Sequence, residues 1–401
     1  MSRQRLNTDV VVVGAGPAGL ATATCLKKYG IESVVLEQSD RIGAAWHRHY
    51  ERLHLHTDKW TSALPYMRFP REYPRYPSRR QVIAYLNRYA NTFGIEPHFN
   101  QRVKRITRTD ERWEIATADR CYQARSVVVA TGFARKPLIP RWPEMDEFGG
   151  QILHSSEFRD GEAFEGKDVL VVGFGNSGGE IAIDLAEHGA RPAISVRSPV
   201  NLLPRDLLGI PILWVAIAQS KLPARVADLI SAPVLRAVFG DLRELGFKKL
   251  PYGPKRQIDE HQRIPLIDVG TVDLIRNGRL KVYPGLERFT ERAVVFDDGT
   301  QRAFDAVILA TGYRPRVDCF LQDAGDVLND IGCPRKSGGE PALPGLYFCG
   351  FMVSYTGMFR RIAKEARSIA AAIAGELAGL RRSRTASSRP EQSVRPPARL
   401  R

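Results

Sequence analysis

Cysteine is scarce in this chain. Five of the 401 residues are cysteine (Cys25, Cys121, Cys319, Cys333 and Cys349), and no two stand as Cys-x-x-Cys. So sparse and odd a set excludes a disulfide scaffold, and the missing pair excludes a dithiol redox motif or a zinc site built on one. A reducing, cytoplasmic setting is expected. Long apolar runs are lacking too. The longest, residues 207–218, contains Gly209 and Pro211 and falls short of the roughly 20 residues a bilayer-spanning helix needs. The first nine residues run directly into Val10 to Val13 and then glycine, so neither a signal-peptide core nor a membrane span is expected.

Acidic residues are outnumbered, 44 against 59 basic, for a net charge of +15. The excess sits in two places. Residues 41–105 carry thirteen Lys and Arg against four Asp and Glu, a balance that suits phosphate-bearing cofactors. Residues 381–401 carry seven Arg against one Glu among Ser and Pro, with little to bury, and are expected to form a disordered tail. No nucleic-acid-binding motif accompanies either segment, so no nucleic-acid partner is expected. The 43% of hydrophobic residues suffices for about two domains.

What the chain does contain is a repeat. Thr8-Asp-Val-Val-Val-Val-Gly-Ala-Gly-Pro-Ala-Gly19 parallels Asp168-Val-Leu-Val-Val-Gly-Phe-Gly-Asn-Ser-Gly178: a β-branched run, glycines at relative positions 0, 2 and 5, then a helical pattern over 20–28 and 181–188. Val127-Val-Val-Ala-Thr-Gly-Phe133 likewise parallels Val307-Ile-Leu-Ala-Thr-Gly-Tyr313. The spacing predicts two dinucleotide-binding units of α/β, Rossmann-like class. In each, the first glycine (Gly14, Gly173) serves a tight turn. The second (Gly16, Gly175) allows backbone to approach pyrophosphate, and the third (Gly19, Gly178) lets helix pack on strand. Asn176 and Ser177 lie inside the second loop, where free N–H groups at a helix start suit a phosphate.

The residues that end the next strands differ. Strand 33–36 leads to Glu37, 23 residues after Gly14, where a carboxylate accepts ribose hydroxyls and repels a 2′-phosphate; this unit suits FAD or NAD. Strand 193–196 leads to Arg197 and Ser198, beginning 24 residues after Gly173, which suit the 2′-phosphate of NADPH, although Arg197 reads equally simply as a solvated surface residue.

Between the units lies Phe148-Gly-Gly-Gln-Ile-Leu-His-Ser-Ser-Glu-Phe158, which fits the Phe-x-Gly-x-x-x-His-x-x-x-Phe signature of flavin-containing monooxygenases. The chain resembles that family over residues 8 to about 375. It is most similar to the plant YUCCA branch, which converts indole-3-pyruvate to the auxin indole-3-acetate. The likeness is carried by Arg52-Leu-His-Leu-His56, Phe69-Pro-Arg-Glu-Tyr-Pro-Arg-Tyr-Pro77, Gly173 to Gly178, Val196-Arg-Ser-Pro-Val-Asn-Leu-Leu-Pro-Arg205 and Leu309-Ala-Thr-Gly-Tyr313.

The resemblance implies an NADPH domain (146–300) inserted in a FAD domain (1–145 and 301–380), ahead of the tail at 381–401. Gly132 and Gly312 then mark the crossings between domains, and Gly350 ends the last FAD-contacting strand, with a helix over about 360–377 after it. Relatives carry an acidic residue after that glycine, where this chain has Phe351. The implied activity is that of an enzyme, a monooxygenase. NADPH reduces FAD, O2 adds to form a flavin C4a-(hydro)peroxide, and the oxygen passes to a small organic substrate. The YUCCA likeness implies oxidative decarboxylation of an aromatic 2-oxo acid. N- or S-oxygenation and Baeyer–Villiger oxidation of a ketone remain alternatives, as do an NADPH-dependent reductase and a non-catalytic nucleotide sensor.

Individual residues carry sharper expectations. His56 falls where animal relatives place a catalytic asparagine and is assigned a catalytic role, as is His154 of the signature, although a histidine there is more often structural. Trp46 is expected beside the flavin. His47, His49, His54 and His56 cluster in sequence without the ligand set of a metal site, and no metal is expected. Cys25 and Cys349 read as core residues. The apolar stretch 207–239 roofs the substrate tunnel, touches a membrane or joins two copies in a homodimer, with the first preferred. Arg205, Lys249 and Arg360 are the cations offered for a substrate carboxylate.

Overall fold

The computed structural model describes residues 4–109, 112–322 and 324–387. The chain opens with β1 (Gln4–Val13), α1 (Pro17–Lys28), β2 (Ser33–Leu36), α2 (Ala44–Arg48) and α3 (Arg79–Phe93), then β3 (Arg105–Arg108), β4 (Trp113–Ala116), β5 (Arg120–Val129) and β6 (Lys136–Pro137). A second series follows: β7 (Gln151–His154), β8 (Asp168–Val172), α4 (Asn176–Glu187), β9 (Arg191–Ser195), β10 (Leu202–Pro204), β11 (Asp206–Leu207) and β12 (Ile210–Pro211). It continues through α5 (Ile212–Ala218), α6 (Ala224–Phe239), α7 (Pro254–Asp259), β13 (Leu266–Asp268), α8 (Thr271–Arg276) and β14 (Lys281–Tyr283) to a small meander of β15 (Leu286–Phe289), β16 (Ala293–Phe296) and β17 (Gln301–Ala303). The chain then adds β18 (Ala306–Leu309), β19 (Tyr313–Arg314), β20 (Leu346–Phe348) and α9 (Met358–Ser387).

Two sheets organise these elements. The first runs β2-β1-β5-β4-β3, with β20 also pairing β5, and the second runs β14-β9-β8-β18-β7. β1, β2, β5 and β20 are mutually parallel, as are all five strands of the second sheet. Parallel strands covered on both faces must be apolar throughout, and Val10 to Val13, Val127 to Val129 and Val169 to Val171 are buried accordingly. One face of the first sheet packs on α1, α3 and α9 through Leu20, Tyr85 and Ile369, and the other on Phe320, Leu321 and Phe351.

The expected boundaries shift in two places. β18 sits inside the second sheet between β8 and β7, so the return to the first sheet follows Leu309 and not residue 301. The meander before it is antiparallel and cannot serve as the crossing, whereas 310–312 leads directly from one sheet toward the other. The final helix begins at Met358 and continues to Ser387, through the first residues of the expected tail, because Arg and Ala in 381–387 sustain a helix already propagating. The rest of that tail, 388–401, lies outside the described residues. Among the described residues, no helix is long and apolar enough to cross a membrane.

Candidate active site

The glycine loops repeat almost atom for atom. Gly14 (φ +111°) and Gly173 (φ +110°) take a backbone conformation closed to L side chains, and a Cβ on either would lie 2.7 Å from the carbonyl oxygen of Ala130 or Ala310. A Cβ on Gly19 would lie 1.8 Å from the Gly14 oxygen, and one on Gly178 2.0 Å from the Gly173 oxygen, so helix and strand touch there. Gly16 and Gly175 differ: a Cβ at either meets nothing within 4 Å. Each caps the N-terminus of its helix with no side-chain partner, leaving first-turn N–H groups facing open space. A cradle bounded by backbone donors and held clear of side chains fits a pyrophosphate.

Glu37 is buried just past β2. Its Oε2 accepts the Ala15 N–H (2.9 Å), and its Oε1 accepts the N–H and hydroxyl of Ser39 (3.0 and 2.9 Å), which fixes the carboxylate beside the first loop. At the equivalent place in the second unit, Arg197 is exposed and its guanidinium makes no ion pair among the described residues. With Ser198 and Arg263 it lines a cleft of about 320 Å³ that also takes in Gly173 and Gly175, and no acidic residue lines that cleft. The donor set fits a phosphate.

Both crossings meet at the junction. β6 and β19 pair antiparallel, Leu138 N–H donates to the Gly312 carbonyl (2.9 Å), and Thr311 Oγ1 donates to Leu138 O (2.5 Å). Gly132 (φ +70°) and Gly312 (φ +87°) make the bends. His154 pins the second one. The Ser156 N–H donates to its Nδ1 (3.1 Å), so Nε2 carries the proton and donates to Gly312 O (3.0 Å). Burial lowers its pKa, keeping the ring neutral. With both nitrogens engaged inside the protein, His154 positions the backbone, and the expected proton-transfer role gives way.

Where the two units meet lies a chamber of about 370 Å³, lined by Trp46, His56 and Asn176 and walled mainly by apolar side chains from residues 203–235 and 354–359. Trp46 leans edge-on against Phe359, with ring centroids 5.9 Å apart. Asn176 accepts the Ile267 N–H through Oδ1 (2.8 Å), while Ser177 bonds to the Tyr50 hydroxyl, whose pKa is raised by burial. Residues of the stretch 207–239 line this chamber, though not as continuous helix. β11 and β12 make a hairpin turning at Leu208 and Gly209, both at positive φ, before α5 and α6 begin.

The four clustered histidines diverge. His49 is half-buried among Trp46, Tyr50 and Tyr313, and desolvation pushes its pKa down to about 4. Burial also lowers the pKa of His47, and His54 Nδ1 contacts the Arg52 carbonyl (2.5 Å). His56 Nε2 meets Oε1 of Glu180, a buried residue of α4, so the first unit's histidine is held by the second unit's helix. The three offered cations miss the chamber. Arg205 stacks over Tyr76 (4.4 Å) and faces Asp206, Lys249 lines a separate groove behind α6, and Arg360 is absent from the chamber wall, its Nε buried without a partner. The cation that does line it is Lys255, 4.3 Å from the Tyr355 ring centroid and paired with Asp259 (2.6 Å).

Three residues of the site escaped the sequence reading: Glu180, Lys255 and Glu365. Glu365, from α9, accepts the Gly350 N–H (2.8 Å) and the Ser337 hydroxyl, while Phe351 is buried in the core behind. Glu180 had a signal, since it and Asp184 stand four apart in the otherwise apolar stretch 178–186 of α4. Cys25 and Cys349 are core residues as expected, the thiol of Cys25 pushed up to about 11 by burial.

Two glycine-loop units joined by paired crossings, with a chamber lined from both units, define a two-nucleotide α/β flavoenzyme. A family model described as "Flavin-binding monooxygenase-like" matches residues 7–328, and the chain belongs to that family. It is an enzyme, a flavin-dependent monooxygenase with FAD and NADPH as cofactors. It is 39% identical over 351 residues to "Indole-3-pyruvate monooxygenase YUCCA1" of Oryza sativa subsp. japonica, covering 85% of this chain and 86% of that one. Identity to "Indole-3-pyruvate monooxygenase YUCCA6" of Arabidopsis thaliana is 40% over 357 residues, covering 86% and 85%. Among solved structures, the flavin-containing monooxygenase from Stenotrophomonas maltophilia superposes with TM-score 0.71 at 25% identity, over 92% of this chain and 99% of that one. Cyclohexanone monooxygenase shares the fold, with TM-score 0.72 at 17% identity, over 94% and 89%.

Proposed function

We propose that the enzyme oxidatively decarboxylates an aromatic 2-oxo acid such as indole-3-pyruvate, yielding the carboxylic acid one carbon shorter and carbon dioxide. The observation that carries this reading is the chamber: apolar-walled, within the roughly 300–1,000 Å³ of small-molecule sites, and bounded by the FAD unit, the NADPH unit and one cation. The indole-3-pyruvate monooxygenase titles of its relatives support the substrate class.

FAD, reduced by NADPH, supplies the activation of oxygen. The chain's residues bind and shield. Gly14, Gly16 and Gly19 with the α1 N–H groups would cradle the FAD pyrophosphate, and Glu37 Oε2, with one lone pair left, would accept an adenosine ribose hydroxyl. Gly132, Gly312 and Gly350 would admit the isoalloxazine and its chain, with Trp46 as a side wall. Gly173, Gly175, Gly178, Asn176 and Ser177 would hold the NADPH pyrophosphate, and Arg197 and Ser198 its 2′-phosphate. The α5 and α6 roof excludes water from an aromatic ring, Lys255 would pair with the substrate carboxylate, and His56 would hold a proton beside the reacting carbonyl.

The test is to incubate the enzyme, NADPH and O2 with indole-3-pyruvate, and separately with methimazole or a tertiary amine, identifying products by mass spectrometry. Indole-3-acetate well above the uncatalysed background is expected. Oxygenated sulfur or nitrogen products without it would overturn the reading.

A further inference from the structure

His56 and Glu180 come from different units, and what each lacks is as informative as their contact. Glu180 is 3% exposed and makes no other hydrogen bond among the described residues, so its carboxylate depends on the imidazole. A buried carboxylate with no partner is costly, which favours a proton on the nitrogen facing it. His56 Nδ1, in contrast, has no hydrogen-bond partner among the described residues and is not sealed from the chamber its ring lines.

We propose that Glu180 is the positioning residue for His56. It keeps the proton on Nε2 and presents Nδ1 to the chamber, where the protonated ring donates to the substrate oxygen on which negative charge develops. The inference rests on the chamber being the site of reaction. Other charged groups nearby face partners other than Glu180. Asp228 accepts the N–H groups of Lys255 and Arg256 (2.9 and 3.1 Å), Lys255 is paired with Asp259, and Arg52 binds Glu187 at the far end of α4. His54 lies against a backbone carbonyl, and Tyr355 carries Lys255 over its ring. Tyr50, beside Glu180, is kept protonated by burial and by that carboxylate, and Asp184 faces His188 one turn further on. Glu180 therefore has no competing cation, and its charge bears on His56.

The experiment uses the full-length FAD-bound enzyme labelled with ¹⁵N-histidine, the His56 resonances being assigned by their loss in His56→Gln. Long-range ¹H–¹⁵N spectra across pH, without substrate, should show the neutral ring as the Nε2–H tautomer. In Glu180→Gln, whose amide can donate as well as accept, that tautomer preference should weaken. In steady state, Glu180→Gln should keep its flavin content and KM for NADPH but lose kcat. Glu180→Asp should restore part of both the tautomer preference and kcat.

An Nδ1–H tautomer in the wild type, or a tautomer and kcat that do not change in Glu180→Gln, overturns the proposal. Should Glu180→Gln not fold, the tautomer of the wild type decides alone. A wrong substrate assignment would show in the product assay and leave the imidazole tautomer as described.

Discussion

Gly16→Ala and Gly19→Ala separate the two demands that a glycine loop makes on its sequence. At Gly16 the backbone is extended (φ −85°, ψ −172°) and a methyl group meets nothing, so alanine adopts the native conformation without strain. Reduced freedom of the unfolded chain should then stabilise the apoprotein by about 0.4–1 kcal/mol. On the proposed assignment, the same methyl group would stand where backbone must approach the FAD pyrophosphate. Losing one charge-assisted hydrogen bond there, worth about 1.5–3 kcal/mol, weakens FAD roughly ten- to hundredfold. At Gly19 the methyl would sit 1.8 Å from the Gly14 oxygen, and α1 must lift off the sheet, at a cost of about 1–3 kcal/mol or more.

The assay is a pair of measurements on each variant: melting of the flavin-stripped protein, and FAD affinity by fluorescence titration. Gly16→Ala should melt no lower than wild type while binding FAD weakly. Gly19→Ala should melt lower or fail to fold. Wild-type FAD affinity in Gly16→Ala, or a melting temperature several degrees down, would refute the assignment of that open space to the cofactor.

Arg197→Ala should erase most of an NADPH preference over NADH of about ten- to hundredfold, the equivalent of about 1.5–3 kcal/mol, in stopped-flow flavin reduction. Unchanged selectivity would move the 2′-phosphate to Ser198 or Arg263. Asp184 is buried on α4, where burial raises its pKa to about 6 even with His188 opposite, leaving Oδ2 without a partner. Below about pH 3 folded and unfolded chains both hold the proton. As pH rises from there to about 6 the unfolded carboxyl ionises first, so stability is lost with rising pH by at most about 3 kcal/mol. Asp184→Asn should therefore be more stable than wild type in urea melts at pH 8 and about equal to it below pH 3. A less stable variant at pH 8 would show that the carboxylate is held by a partner it lacks here.

Local chemistry was legible in the sequence because it acts over a few residues. Glycines at 0, 2 and 5 after an apolar run state a turn, an approach and a packing contact; the turn and the packing contact appear at both loops with nearly equal distances, and the middle glycine of each faces open space. Buried parallel strands must be apolar, so Val10 to Val13 declared themselves. The repeated Ala-Thr-Gly segments marked the crossings because glycine is needed where the chain bends at positive φ.

The rest was decided by contacts between residues far apart in the chain. β18 enters the second sheet because a slot between β8 and β7 completes their hydrogen bonding, which no residue of 306–309 announces by itself. Glu180 lies 124 residues from His56, and only the closing of one unit on the other makes them partners. Lys255 reaches the chamber, and Arg205 does not, because Tyr76 and Asp206 take up the arginine while α7 turns the lysine inward. A charge in sequence is only an offer. Which ligand or neighbour takes it depends on burial and distance, and those exist only once the sheets have packed.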